Sequence, residues 1–249
     1  MESEVRRSMT NRPPCRIGVL VPQGNVVHER EFAQLRPPQV QFRFAYFSYP
    51  GPGGEDFCKD LIHQFEQPVA ELKAWRAELV LVGCTTASMS CFAEIPAQVE
   101  QMAEVPVVTA ASASLEALAA LRTTSVAVAT PYGALNNQIV ADFLESRRIH
   151  VAAIKGLGLD ASIDTWSRAP HLTPHEVVDF SLKVDVAAAQ TLYLPCTGLG
   201  SLAALELFER VRQKPAVSSV QAGFWASLRR LGIDGRQAGC GRLIFDWDY

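Results

Sequence analysis

The stretch GCTTAS, residues 83–88, closes the apolar run AELVLV, and PCTGLG, residues 195–200, closes the apolar run TLYL. In both, a strand-like segment ends in a cysteine followed by a threonine. Two thiols presented from matching settings can stand on opposite sides of a small substrate. One takes a proton from a carbon while the other returns one, and that exchange needs no cofactor. A free thiol has a pKa of about 8.5, so a helix N-terminus after each cysteine is expected to lower one of them and to offer N–H groups to a carboxylate or an enediolate. Thr85, Thr86 and Thr197 add hydroxyl donors, and Gly198 lets the backbone come close to a ligand. Cys84 and Cys196 are therefore the candidate catalytic pair. Cys15, Cys58, Cys91 and Cys240 read as structural or incidental.

The elements that must position this pair repeat along the chain. Ile17–Asn25, IGVLVPQGN, parallels Val126–Ala134, VAVATPYGA, and VPVVTAAS from Val105 parallels KPAVSSVQ from Lys214, both at an offset of 109 residues. LVGCT at 81–85 parallels YLPCT at 193–197 at an offset of 112, a difference that a loop insertion absorbs. Strand patterns alternate with helical ones: RIGVLVP, QFRFAYF, AELVLVGC and VPVVT are strands, and helical spacing runs from 27 to 35 and from 57 to 76. Such alternation predicts an α/β fold made of two doubly wound domains related by a pseudo-twofold axis. Each has about four parallel strands flanked by helices. The halves are expected at 15–122 and 123–249, the last helix of the first packing on the second, with 1–14 disordered. Ligands of open α/β sheets sit at the carboxyl ends of the strands. The cleft between the halves thus receives Cys84, Cys196, Asn25 after the first strand and Tyr132 after its counterpart.

Composition narrows the function. The 249 residues carry a formal net charge of −3 with Lys and Arg scattered, so no basic stripe for nucleic acid exists. No apolar run approaches the roughly 18–20 residues that span a bilayer, and the opening MESEVRRSMTNRPP has no apolar signal core. A cytoplasmic protein is the expectation, in which the six cysteines stay free thiols. No C-x-x-C spacing or His cluster predicts a metal, and His171 and His175 flank a T-x-x-E capping box at a helix start. The glycine-rich loops at 51–54 and 156–158 lack a phosphate-binding pattern. The loops at 48–57 and 158–173 should close the cleft, and Trp166 and the tail DWDY are candidates for a lid or a homo-oligomer interface.

These motifs resemble the aspartate/glutamate racemase superfamily, in the branch of maleate cis-trans isomerase and arylmalonate decarboxylase, over nearly the whole chain. VPQGNVVHERE is similar to the first-strand motif of maleate isomerases, ATPYGALNN to their second-half strand and turn, and AGFWASLRRLG with GCGRLIF to the decarboxylases. The resemblance implies substrate-binding roles for Asn25 and Tyr132 and a small carboxylate or dicarboxylate substrate without cofactor. Decarboxylases of this branch carry glycine where this chain has Cys84, which favours a two-cysteine isomerase. In it Cys84 attacks a double-bond carbon and Cys196 is the opposing acid/base. The loop asparagine of maleate isomerases is replaced here by Ala161 or Ser162. The alternative is a racemase or epimerase of an amino acid or related acid. A decarboxylase or a two-lobed binding protein fits the thiol pair less well.

Overall fold

The computed structural model describes residues 13–35, 37–51 and 53–246, so the disorder expected for 1–14 falls almost wholly outside them. The first half runs β1 (Cys15–Pro22), α1 (Val27–Gln34), β2 (Val40–Phe47), α2 (Phe57–His63), α3 (Glu66–Ala74), β3 (Leu79–Val82), α4 (Thr85–Ser90), α5 (Glu94–Ala103), β4 (Val107–Thr109) and α6 (Ala110–Ala120). The second runs β5 (Ser125–Thr130), α7 (Ala134–Ser146), β6 (His150–Gly156), α8 (Ile163–Trp166), α9 (Pro174–Val184), β7 (Thr191–Leu194), α10 (Leu202–Arg212), β8 (Ala216–Ser218), α11 (Ser219–Arg230) and α12 (Arg242–Asp246).

Both sheets are parallel and share one strand order, β2-β1-β3-β4 and β6-β5-β7-β8. β3 and β7 are buried along their whole length, as their unbroken apolar runs require of strands covered on both faces. The order reverses direction between β1 and β3, and again between β5 and β7. That switch point is where helices leave on opposite faces and open a crevice at the strand ends. Asn25 and Cys84 flank one switch point; Tyr132 and Cys196 flank the other.

The halves are not merely adjacent. α6 lies along α11 and touches β8, while α11 touches β3 and β4, so each half lends the helix that follows its fourth strand to the other. Gly223 of α11 sits so close to β3 that a Cβ there would lie 3.2 Å from Leu81. The buried Tyr193 hydroxyl of β7 donates to Ser114 of α6 at 2.8 Å. One core cluster therefore runs across both halves, from Ile17 and Leu81 through Phe224 to Val126 and Leu192, and a second, with Leu20, Phe65 and Val82, lies within the first half.

Two local expectations change. The helix expected over 57–76 is broken into α2 and α3, because Pro68 lacks the N–H that a continuous helix would donate to Gln64. Cys58 and Cys91 are not free thiols but a disulfide, with Cα atoms 5.6 Å apart, since α2 lies beside the end of α4. The capping box at Thr173 and Glu176 forms as its spacing predicts.

Gly83 shows how tightly the site is set into this frame. A Cβ there would lie 2.4 Å from Cε1 of His28, a ring 1% exposed, and 3.2 Å from the Leu20 carbonyl oxygen. Gly83→Ala is expected to cost about 3 kcal/mol by overpacking. Urea unfolding of the variant would measure it; a loss below about 0.5 kcal/mol would show that His28 swings aside.

Candidate active site

The turn after β1 closes with the Asn25 N–H on the Pro22 carbonyl and turns the Asn25 side chain inward. Its Oδ1 accepts the N–H groups of Val27 and His28, both at 3.2 Å, which satisfies the free donors at the start of α1. Its Nδ2 donates to the Thr197 hydroxyl at 3.2 Å, and that hydroxyl donates to the Gly83 carbonyl at 2.8 Å. Asn25 and Thr197, from different halves, are thereby joined beside both candidate cysteines.

Cys84 has extended backbone and stands at the N-cap position of α4. Burial pushes its thiol up to about 12; the Ala87 N–H and the Thr86 hydroxyl pull the other way, and Cys196 adds to the rise. Thr86 also shares a 3.2 Å hydrogen bond with the Tyr49 hydroxyl. The buried Thr85 hydroxyl has no partner among the described residues. Buried donors left unpaired cost about 1–3 kcal/mol, so this one is suited to meeting an incoming oxygen.

Cys196 accepts the Gly198 N–H at 3.3 Å and a hydrogen bond from the Tyr132 hydroxyl. Burial holds its thiol up at about 11, with those donors and the Leu199 N–H opposing. Tyr132 is raised well above the ordinary range, chiefly by burial, and so remains a proton donor to the sulfur. Trp166 stacks on Tyr132 with ring centroids 6.1 Å apart and planes 5° from parallel. The same indole covers Gly198, where a Cβ would lie 3.1 Å from its Cζ2. The two thiols, 6% and 2% exposed, and Tyr132, 6% exposed, form a closed site. The surface hollow of about 490 Å³ between α1 and β2 is lined by neither cysteine.

The structure brings together every candidate residue: Cys84, Thr85, Thr86 and Asn25 from one half, and Cys196, Thr197, Gly198 and Tyr132 from the other. It corrects two expectations about them. Neither thiol is depressed, because desolvation outweighs the donors at both. Nor does a helix begin at Cys196: α10 starts at Leu202, and the Ser201 and Leu202 N–H groups are held by the Glu31 carboxylate of α1. The helix N-terminus expected to face a ligand there is occupied by the protein itself.

Three residues escaped sequence reasoning as parts of the site. Tyr49 follows β2 at the same sheet edge as Cys84, and its hydroxyl is raised by burial and then by Cys84; the carboxyl-edge rule would have found it. Glu31 falls on the buried stripe Val27, His28, Phe32 of α1, where a carboxylate demands a partner. Asp160 accepts the Gly133 N–H and the Asn136 amide, both at 2.6 Å, and fastens the loop that carries Trp166. Among the described residues no group of three or more His, Cys, Asp or Glu side chains could hold a metal ion, and no helix is long and apolar enough to cross a membrane.

A family model described as arylmalonate decarboxylase matches residues 54–244, most of the chain. Arylmalonate decarboxylase of Bordetella bronchiseptica is 32% identical over 143 residues, which span 56% of this chain and 58% of that protein, under two thirds of its length. Maleate isomerase of Nocardia farcinica is 26% identical over 245 residues, 92% of this chain and 95% of that protein. A solved structure of a serine variant of the Nocardia farcinica maleate cis-trans isomerase holds a covalently bound succinylcysteine intermediate. It matches with a TM-score of 0.82 at 24% identity, covering 93% of this chain and 98% of that one, which shows a common fold. The chain belongs to the arylmalonate decarboxylase family, within the branch of the aspartate/glutamate racemase superfamily that also holds the maleate isomerases.

Proposed function

We propose that this protein is a cofactor-independent isomerase of small carboxylates. In the reaction it fits best, Cys84 adds to a double-bond carbon of a cis-dicarboxylate such as maleate, and Cys196 is the opposing acid and base. The observation that carries this reading is the convergence of two buried thiols at the ends of β3 and β7, close enough for the charge of Cys196 to raise the Cys84 thiol. The succinylcysteine intermediate of the Nocardia farcinica relative supports it. Cys84, standing where decarboxylases of the branch carry glycine, argues against decarboxylation.

Cys84 first loses its proton to solvent, and the thiolate forms a C–S bond while the π pair moves to the neighbouring carbon and into its carboxylate. Cys196 gives that carbon its proton, which leaves a thioether with a freely rotating C–C single bond. After rotation the Cys196 thiolate takes a proton back, the double bond re-forms, and Cys84 departs as thiolate. Tyr132 stabilises the Cys196 thiolate by donating to it, and the Ala87 N–H and Thr86 hydroxyl do so for Cys84. The unpartnered Thr85 hydroxyl and the second amide hydrogen of Asn25 are the donors left for a carboxylate.

A second reading, racemisation of a monocarboxylic acid by proton exchange between the same thiols, has its own support. Ser162 is exposed and bonded to Thr165 rather than aimed at the site. Asp160 already uses the Gly133 N–H. Few donors then remain on the second half for a second carboxylate.

Proton NMR in D2O tests the choice. Maleate converting to fumarate, with Cys84→Ala and Cys196→Ala each slowed by about a thousandfold or more, is the expected result. Maleate left unchanged while deuterium enters the α-position of an amino acid would establish the racemase instead. A second measurement reads the thiols. Because both pKa values are raised, the neutral thiols dominate at neutral pH. Alkylation of Cys84 and Cys196 by iodoacetamide should therefore accelerate about tenfold per pH unit from pH 7 to 9, following the thiolate fraction. A plateau by about pH 8 at either cysteine would mean a resting thiolate and contradict the burial argument.

A further inference from the structure

Glu31 is 4% exposed and reaches from α1 of the first half into the second. Its Oε1 accepts the Ser201 N–H and, at 3.0 Å, the Leu202 N–H, while Oε2 meets the Ser201 hydroxyl at 3.1 Å. Those donors open α10, directly after the segment that carries Cys196, Thr197 and Gly198. The segment has little internal bonding: the Leu199 N–H reaches the Cys196 carbonyl at 3.4 Å and the Gly198 N–H reaches the Cys196 sulfur. Its shape depends on what grips its ends. Asn25, just before α1, grips the near end through Thr197. Arg30 of α1 adds a bond to the Pro170 carbonyl at 2.9 Å, on the segment following Trp166.

We propose that Glu31 is a positioning residue for Cys196. By bonding the first turn of α10 it fixes the far end of the 196–201 segment, as Asn25 fixes the near end, so one helix of the first half sets where the second half's thiol stands. The inference rests on the reading of Cys196 as the acid/base of the reaction. The role is geometric. Burial raises the Glu31 carboxyl to about 7, and its protonated form keeps all three contacts by turning the O–H toward the Ser201 hydroxyl. A glutamine does the same, its carbonyl oxygen accepting both N–H groups and its amide donating to Ser201.

The test compares wild type with Glu31→Gln, Glu31→Asp and Glu31→Ala, reading iodoacetamide alkylation at Cys196 and at Cys84 separately by peptide mass spectrometry. Release of the segment in Glu31→Ala should speed alkylation of Cys196 about tenfold by local opening, leave Cys84 unchanged, and leave Glu31→Gln like wild type. With maleate as substrate, kcat of Glu31→Ala should fall about tenfold or more, with KM nearly constant, because the reacting groups are misplaced while the first-half donors are intact. Should Glu31→Ala not fold, Glu31→Asp, one methylene too short to make all three contacts, should show the same selective rise at Cys196. Equal acceleration at both cysteines would indicate general loosening and overturn the proposal, as would no acceleration at Cys196. The alkylation arm needs no turnover, so failure of the maleate assignment and failure of the Glu31 assignment are separable.

Discussion

The hydrogen-bond chain from Asn25 through the Thr197 hydroxyl to the Gly83 carbonyl is the constraint on which the site depends. It ties the residue before one candidate cysteine to the residue after the other, across two sheets with no strand in common. Strand ends are where a parallel sheet leaves backbone groups unpaired, and buried ones require partners. Here the partners come from the opposite half, so satisfying the backbone and bringing the thiols together are one requirement. The exchange of α6 and α11 between halves supplies the apolar contact that keeps the chain closed.

Closure has a chemical consequence. Water excluded from around Cys84 and Cys196 raises both thiols, because a thiolate loses its hydration and gains only two or three donors in return. The same exclusion strengthens every donor that a substrate carboxylate or an enediolate would meet. The Tyr132 hydroxyl, itself kept protonated by burial, illustrates the balance: it favours the Cys196 thiolate without being able to deliver it alone. Both thiols and the Tyr132 hydroxyl are thus held in their neutral state.

How much of this could be read from residues alone follows from what each signal encodes. The duplicated runs ending in Cys-Thr report strand burial and the carboxyl-edge position, both of which are periodic properties of a chain, and the sheets and the eight candidate residues came together as that pattern implies. The pairing of Cys58 with Cys91 is a matter of how α2 packs beside α4, which no spacing rule contains. The expectation of a lowered thiol weighed N–H donors and left out burial, and burial won. Glu31 lies in the polar sequence HERE, whose charges resemble a solvated face, and only its place on the Val27–His28–Phe32 stripe marks it as buried.

The duplication also explains why the two cysteines need not be equivalent. After Cys84 the chain enters α4 at once, leaving the Thr85 hydroxyl without a partner among the described residues. After Cys196 the chain delays its helix until Leu202 and spends the first N–H groups on Glu31. An anion entering the site would therefore meet open donors on the first half and mostly engaged ones on the second. Because burial raises both sulfurs, acidity alone would not separate the roles proposed for them; the side on which a carboxylate is held would. In the proposed reaction, a symmetric fold with an asymmetric supply of donors would orient the substrate, and that orientation would assign one thiol to bond formation and the other to proton transfer.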